Sequence, residues 1–251
     1  MALFVDGPAC TMEDLAAQDS GLLDAAQSEG IDVTAKIQLA MEEMTPEIQA
    51  WLNKPTSVTN LLWEPAIRIE QVVVTLALKR WQAMHSLALF YRDAYFGQLV
   101  ERYRVKWEEY TKQASNAKET FVTSGMAIVG SPVHRAEIPA LGSQAGSQPG
   151  GTYYAAVSDV GVNGQEGAAS VVASIALTDG KAMTVSAPEA PGQWNVYAGT
   201  SLAALTLQNS EPLNSGDTWI YISGAGTPAR KPCKGQLPDL TIPLVRRWMR
   251  G

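Results

Sequence analysis

The chain contains 251 residues, of which 46% are hydrophobic and 18% are charged, and its net charge is −6. This composition provides enough apolar side chains for a packed core and too little charge for a disordered chain, and the length suits two domains of modest size. The first residues lack the basic and apolar regions of a signal peptide, and no apolar run approaches the ~20 residues of a membrane span, so we expect neither secretion nor a membrane helix.

Charge is distributed unevenly along the sequence. Residues 1–64 carry a net charge of −9, residues 65–139 carry +3, residues 140–228 carry −5 and residues 229–251 carry +5. Opposite charges at the two ends favour head-to-tail contacts between copies or docking on an oppositely charged partner. A solvated acidic face with a loose basic tail would give the same distribution.

Helix signals begin near the N-terminus. Thr11 and Asp14 have the spacing of a capping box, which predicts a first helix over residues 12–28. Asp32 predicts the cap of a second helix, and Pro46 predicts the start of a short third one because proline is favoured in the first helical turn. Three short helices with tight connections would form a compact headpiece.

The strongest helical pattern follows Pro65. Apolar residues leave few polar positions over residues 67–90, which predicts a helix that is covered on more than one side. Over residues 96–121 they recur every three or four positions in a single stripe, as expected for a helix packed antiparallel against its predecessor. Whether Gly97 separates these two helices stays open. His85, in the first of them, is expected to be a hydrogen-bonded core or interface residue.

The composition then changes. Residues 140–151 contain no charge and one large apolar residue, Leu141, which predicts a flexible connection. Beyond it, six alternating or β-branched runs are interrupted by the turn dipeptides Asn163-Gly164 and Asp179-Gly180. This spacing predicts an antiparallel sandwich of the immunoglobulin or fibronectin III type. Four aromatic residues are expected to fill the space between its sheets: Trp194, Tyr197, Trp219 and Tyr221.

The predicted architecture is therefore α+β in two domains. Residues 1–139 form a helical bundle with a long helical hairpin, residues 140–151 a linker, and residues 152–226 the β-sandwich. Residues 227–251 form an extended C-terminal arm.

The arm combines four prolines with apolar and basic residues. The prolines exclude a continuous helix or a central strand, so we expect residues 228–243 to remain extended and unable to form a sheet of their own. Two alternatives remain open: the arm folds back onto its own chain, or it docks on a partner through buried apolar side chains and charge-assisted hydrogen bonds. The predicted partner-binding residues are Leu244, Val245, Arg246, Arg247, Trp248 and Arg250.

Catalytic signatures are absent from the sequence. It contains no nucleotide-binding loop, no hydrolase elbow and no zinc-protease motif. Cys10 and Cys233 lie near opposite ends of the chain, and only His85 and His134 are available, so we expect neither a disulfide framework nor a zinc site. We predict that the protein is not an enzyme and has no catalytic, metal or cofactor site.

Three stretches of the helical half resemble the head-to-tail adaptor (connector) proteins of tailed bacteriophages: DLAAQDSGLLDAAQSEGIDVTAKIQLAMEE, WQAMHSLALFYRDAYFGQLVERYRVKWEEY and GMAIVGSPVHRAEIP. The β-half resembles the immunoglobulin- or fibronectin-like insert of phage structural proteins, through YYAAVSDVGVNGQEGAASVVASIAL and QWNVYAGT. The β-domain would then decorate the outside of a ring.

The resemblance implies a structural virion protein of the neck, assembled in the host cytoplasm. Its copies, usually twelve, would form a ring beneath the portal protein, with tail or nozzle proteins attached below. Genomic DNA would pass through the channel without specific binding, because an acidic lumen lacks the basic side chains that hold phosphate. We expect no cofactor and no membrane partner. The alternative is a surface adhesion module that binds glycan or protein through the β-sandwich.

Overall fold

The structure is a computed structural model and describes residues 2–53, 67–187, 192–222 and 230–244. Five α-helices occupy the N-terminal half and antiparallel β-sheets the C-terminal half, so the α+β prediction is confirmed at this level. The described residues divide into two compact units. The helical unit contains residues 7–130 and 238–244, and the β-unit contains residues 2–6 and 131–237. Both units therefore combine segments that are distant in the sequence.

Helices α4 and α5 form the predicted long hairpin, and α3 packs against α4. A 3-10 turn at Ile69–Gln71 precedes α4. The helices are α1 (Met12–Gln18), α2 (Leu22–Glu29), α3 (Val33–Leu52), α4 (Leu76–Gln98) and α5 (Glu101–Ser124).

Local capping signals are confirmed. Thr11 and Asp14 form both hydrogen bonds of the capping box at the start of α1, and the Asp32 carboxylate accepts from two backbone N–H groups at the start of α3. The predicted single helix over residues 12–28 is wrong, because the backbone becomes extended at Asp19 and divides it into α1 and α2. The Asp19 carboxylate then accepts from the N–H of Gly21 in the connecting turn.

Pro46 lies inside α3 rather than at the start of a third helix, so that prediction is wrong. A proline in a helix interior removes one backbone hydrogen bond. The helix continues because Met44 and Ile48, on either side of the proline, are both fully buried on one face. Burial of two such side chains is worth roughly 3–6 kcal/mol, which exceeds the loss.

The segment before α4 was predicted to be part of this helix, and that prediction is also wrong. Val72 forms an isolated bridge with Ile128, and the N–H of Val73 donates to the carbonyl of Ala127. The side chain of Thr75 then caps α4. Pro65 lies outside the described residues. At the other end, α4 continues through Gly97, and the chain turns at Leu99.

Antiparallel strands make up the rest of the fold. A three-stranded sheet has the order β2-β5-β9, and a larger sheet has the order β4-β3-β6-β7 with β8 also paired to β6. The pair β1-β10 belongs to the helical unit. The strands are β1 (Met126–Ile128), β2 (Ala140–Gln148), β3 (Gly151–Val160), β4 (Ala173–Leu177), β5 (Lys181–Ser186), β6 (Gln193–Gly199), β7 (Thr206–Leu207), β8 (Leu213–Asn214), β9 (Thr218–Ile220) and β10 (Leu240–Ile242).

One hydrophobic core joins the two larger sheets. Alternate residues of β3 and β6 enter it, as expected when side chains point to opposite faces of a strand. Trp194 is fully buried in this core, and Trp219 and Tyr221 pack at its edge, as predicted. Tyr197 is also fully buried but lies on the opposite face of β6, where its hydroxyl donates to Glu166, so the prediction that it fills the space between the sheets is wrong. The buried members of the core are Ala136, Tyr153, Ala155, Val157, Leu177, Met183, Val185, Trp194, Val196 and Ala198.

The predicted linker over residues 140–151 is wrong, because most of it is strand β2, which pairs with β5. Its small side chains allow the neighbouring strand to approach closely: a Cβ added at Gly142 would lie 2.7 Å from the Thr184 hydroxyl. Asp179-Gly180 is a turn with Gly180 at φ 75°. It joins β4 to β5, which belong to different sheets, and so it is not the predicted hairpin turn.

Candidate interaction surfaces of the helical unit

The C-terminal segment forms a strand on the helical unit. Residues Leu240–Ile242 pair with Met126–Ile128, and the Asp239 carboxylate accepts from the N–H of Gly130 at 2.7 Å. Strand β10 is extended, as predicted for residues 228–243, and it pairs with β1 rather than with another part of the same segment. Pro238 and Pro243 flank the three paired residues, so their missing N–H groups do not interrupt the pairing.

Residues 230–237 also lie on their own chain, within the β-unit. The carbonyl of Arg230 accepts from Leu207, and the carbonyl of Cys233 accepts from Ala169, both at 2.9 Å. For these residues the fold-back alternative is confirmed. Leu244, the first predicted partner-binding residue, is half-buried. The other predicted residues lie outside the described part of the chain: Val245, Arg246, Arg247, Trp248 and Arg250.

An apolar cluster, here called the hairpin end, lies where α4 turns into α5. Phe96 is 62% exposed, Leu99 is 70% exposed and Val100 is 37% exposed. The ring of Phe96 lies 5.6 Å from that of Trp107, which is half-buried. An exposed group of large apolar side chains is typical of a contact surface.

The apolar pattern predicts that Phe96 and Leu99 belong to the buried stripe of α5, and this prediction is wrong. The seam between the two helices begins at Tyr103, which is 3% exposed, and includes Tyr110 and Phe121. Phe96 and Leu99 precede α5, so its periodicity does not apply to them. The signal that could have revealed this is Gly97-Gln98, a weak point in the helical pattern next to the turn.

Leu99 adopts a left-handed backbone conformation, with φ 55° and ψ 30°. It is the only non-glycine residue with positive φ among the residues that the structure describes. Helices usually end in this conformation with glycine or asparagine, because a leucine side chain costs roughly 1–2 kcal/mol there. In this chain the strained side chain is exposed, so its own packing does not offset the cost.

A second surface, here called the groove, lies between α3 and α5 above α4. It encloses ≈ 510 Å³. Its rim carries ion pairs, including His85 Nε2 with Glu43 at 2.7 Å and Lys118 with Glu47. His85 is hydrogen-bonded, as predicted. The apolar residues that line the groove are Met44, Trp81, Ala88, Leu89, Trp107 and Ala114.

Buried polar contacts hold the hairpin in place behind the hairpin end. The Asp19 carboxylate accepts from Lys106 at 2.7 Å, from Tyr91 at 2.6 Å and from Tyr110 at 3.1 Å. Burial alone would raise the pKa of Asp19, but the hydrogen bonds from Lys106 and Tyr91 outweigh it and lower the pKa. Burial and the neighbouring Asp19 both raise the pKa of Tyr91. The hairpin is therefore joined to the turn between α1 and α2.

The charges next to the hairpin end in the sequence carry no net positive charge, because Arg102 and Arg104 are matched in number by Glu101 and Glu108. Arg104 forms ion pairs with Glu101 and Glu108, and the guanidinium of Arg102 donates to the hydroxyl of Tyr103. A surface that binds phosphate needs available cations. This surface is better suited to an apolar protein surface than to nucleic acid.

The β-unit contains a cluster of polar side chains around one buried carboxylate. The buried Glu166 accepts from Ser158, Tyr197 and Arg230, and this cluster holds residue 230 on the sheet. Within the described ranges, no group of three or more potential ligands could hold a metal, and no described helix is long and apolar enough to cross a membrane. Comparison with protein-family models, with curated proteins and with solved structures finds no match.

Proposed function

We propose that the protein is a structural virion protein, a head-to-tail adaptor whose copies form a ring beneath the portal and connect the DNA-filled capsid to the tail. Three stretches of the helical half carry the resemblance to this family. The proposed partners are the portal, neighbouring copies and tail proteins.

The observation that carries the proposal is the position of the C-terminal segment. Strand β10 is held by β1 in the helical unit, so Leu244, two residues beyond it, belongs to that unit. The sequence after Leu244 contains Trp248 and three arginines, a combination that is typical of interface hot spots. These residues are the proposed attachment to the portal.

We also propose that the β-unit is an immunoglobulin- or fibronectin III-like sandwich that decorates the ring. Two antiparallel sheets with one shared core and a fully buried Trp194 support this. In the sequence, residues 131–237 of the β-unit lie between β1 and β10, and the N–H of Gly130 donates to the Asp239 carboxylate where these two strands end. This order is that of a domain inserted into the sequence of another.

The alternative, an adhesion module, would use β-domain aromatics to stack on glycans. Trp194 and Tyr197 are fully buried, and Trp219 and Tyr221 pack against the core. These rings therefore offer little free face for stacking, which favours the adaptor proposal.

Reconstitution on the portal ring tests the proposal. The purified chain is mixed with the portal protein of the same phage, and native mass spectrometry counts the bound copies. We expect no stable ring without the portal and twelve copies on it. Absence of binding to the portal would contradict the proposal.

The arm is tested in the same assay with Trp248→Ala. Truncation of a buried interface aromatic costs about 2 kcal/mol, or roughly 30-fold in affinity, while the melting temperature of the isolated chain stays unchanged. Met249→Ala, at the neighbouring position, is the control and should have a small effect. If Trp248→Ala instead lowers the melting temperature and leaves attachment unchanged, the arm packs within its own chain.

A further inference from the structure

We propose that the hairpin end docks into the groove of a second copy of the chain. The contact would join Phe96, Leu99 and Val100 of one copy to the apolar residues between α3, α4 and α5 of the next. The expectation that this contact closes a ring, rather than a dimer, rests on the proposed function. Both surfaces lie within the helical unit.

The conformation of Leu99 is the first reason for a partner at the hairpin end. A strained backbone persists where something compensates for it, and Leu99 is 70% exposed in its own chain. Burial of a leucine side chain is worth about 1.5–3 kcal/mol, which would offset a left-handed leucine. The turn at Leu99 also presents Phe96 and Val100 on the same end of the hairpin.

The charges indicate the class of partner. Arg102 and Arg104 are matched in number by Glu101 and Glu108, the ion-pair partners of Arg104, so these four residues give the hairpin end no net positive charge to attract phosphate or anionic lipid. Its contact surface consists of aromatic and aliphatic side chains. A concave apolar protein surface therefore suits it best.

The groove has the shape and chemistry for such an insertion. It encloses ≈ 510 Å³, which is large enough to receive the side chains of Phe96 and Leu99 together. Its floor includes Leu89 and Ala114, and two polar pairs on its rim are formed within the chain, Lys118 with Glu47 and His85 with Glu43.

The small size of the hairpin end points to another copy rather than a permanent foreign partner. Its three apolar side chains expose on the order of 300 Å², well below the ~800 Å² per partner of a standard stable interface. A weak contact of this kind becomes effective when every copy both gives and receives it, as in a closed assembly. The isolated chain is then mainly monomeric.

Disulfide mapping tests the contact directly. A Leu99→Cys chain is mixed with a Ser115→Cys chain, since Ser115 lines the groove, and intermolecular disulfides are quantified after mild oxidation. We expect at least about tenfold more cross-linked heterodimer than from the control pair Val105→Cys and Ser115→Cys. Val105 is also exposed on α5, at 55%, but does not belong to the hairpin end. A second pair, Phe96→Cys with Thr111→Cys, tests the same contact at another position, so the result does not depend on the geometry of one pair of cysteines.

The outcomes separate this inference from the proposed function. Absence of specific cross-links from both pairs overturns the docking, even if the chain binds the portal. Cross-links in a species of twelve copies support both ideas. Cross-links confined to a dimer that never binds the portal support the docking and contradict the adaptor function.

Discussion

The two units expose apolar side chains in different arrangements. In the β-unit, strand β6 is buried on both faces: Trp194 and Val196 enter the core between the sheets, and Tyr197 is covered on the opposite face. The exposed apolar residues of this unit, such as Val162 and Leu237, lie singly or in pairs along the chain. The helical unit instead exposes three apolar residues within five positions, at the hairpin end, and a group of this kind suits a partner better than single exposed residues do.

The largest expected effect comes from breaking the core of the β-unit. Trp194 is fully buried, and its indole N–H donates to the carbonyl of Asn214 at 2.9 Å. Trp194→Ala should lower the free energy of unfolding of the β-unit by about 4 kcal/mol, because it leaves a large cavity. Thermal unfolding followed by helix circular dichroism should show that the helical unit keeps its own transition, while calorimetry should show a second transition, that of the β-unit, at a lower temperature than in the wild type.

Ile220→Ala, at an exposed position of the same unit, is the control and should change stability by less than about 0.5 kcal/mol. If Trp194→Ala destabilises the helices equally, the two units do not fold independently and the comparison fails.

The second effect concerns the polar contacts that hold the hairpin. Asp19→Asn should lower the free energy of unfolding of the helical unit by about 2–3 kcal/mol, because it leaves the buried Tyr91 hydroxyl and the partly exposed Lys106 ammonium without their charged acceptor. Urea unfolding at neutral pH measures this loss. Asp24→Asn, on an exposed turn of α2, should have almost no effect.

The Asp19 carboxylate also makes the free energy of unfolding depend on pH in the acid range. Its pKa in the folded protein lies below the ordinary value of 3.8, so its contribution is complete above that pH. The contribution is lost as the pH falls through the lower, folded-state pKa, because protonation then removes the acceptor charge. The stability gap between wild type and Asp19→Asn should therefore narrow below about pH 3.8, and a gap that stays constant would exclude this role.

These contrasts also explain which parts of the fold the sequence could predict. Thr11 and Asp32 cap their helices through neighbours within three residues, so local spacing was sufficient. Strand β2 has few apolar residues, and its pairing with β5 depends on residues about forty positions away. The hairpin end was missed because an apolar residue looks the same in a sequence whether a core or a partner covers it.

The third prediction concerns the proline inside α3. Pro46→Ala should raise the free energy of unfolding by about 2 kcal/mol. Alanine restores a backbone donor and is favoured over proline by about 3 kcal/mol in a helix interior. Part of this gain is lost because proline lowers the conformational entropy of the unfolded chain, an advantage that alanine does not have. Chemical denaturation measures the gain. The matched reversal, Ala50→Pro, lies one turn later on the exposed side and should cost about 3 kcal/mol or more. If both variants change the free energy of unfolding in the same direction and by the same amount, helix α3 is not continuous through residue 46.

The smallest effect compares two helix ends with the same backbone conformation. Gly30 ends α2 with φ 65°, and Leu99 ends α4 with φ 55°. Because only glycine adopts this conformation without strain, Leu99→Gly should raise the free energy of unfolding of the monomer by about 1 kcal/mol, and Gly30→Ala should lower it by a similar amount. Nothing lies within 4 Å of a Cβ added at Gly30, so its cost is purely conformational. If Leu99→Gly instead destabilises the monomer, the leucine packs within its own chain, and the inference that the hairpin end binds a partner is contradicted.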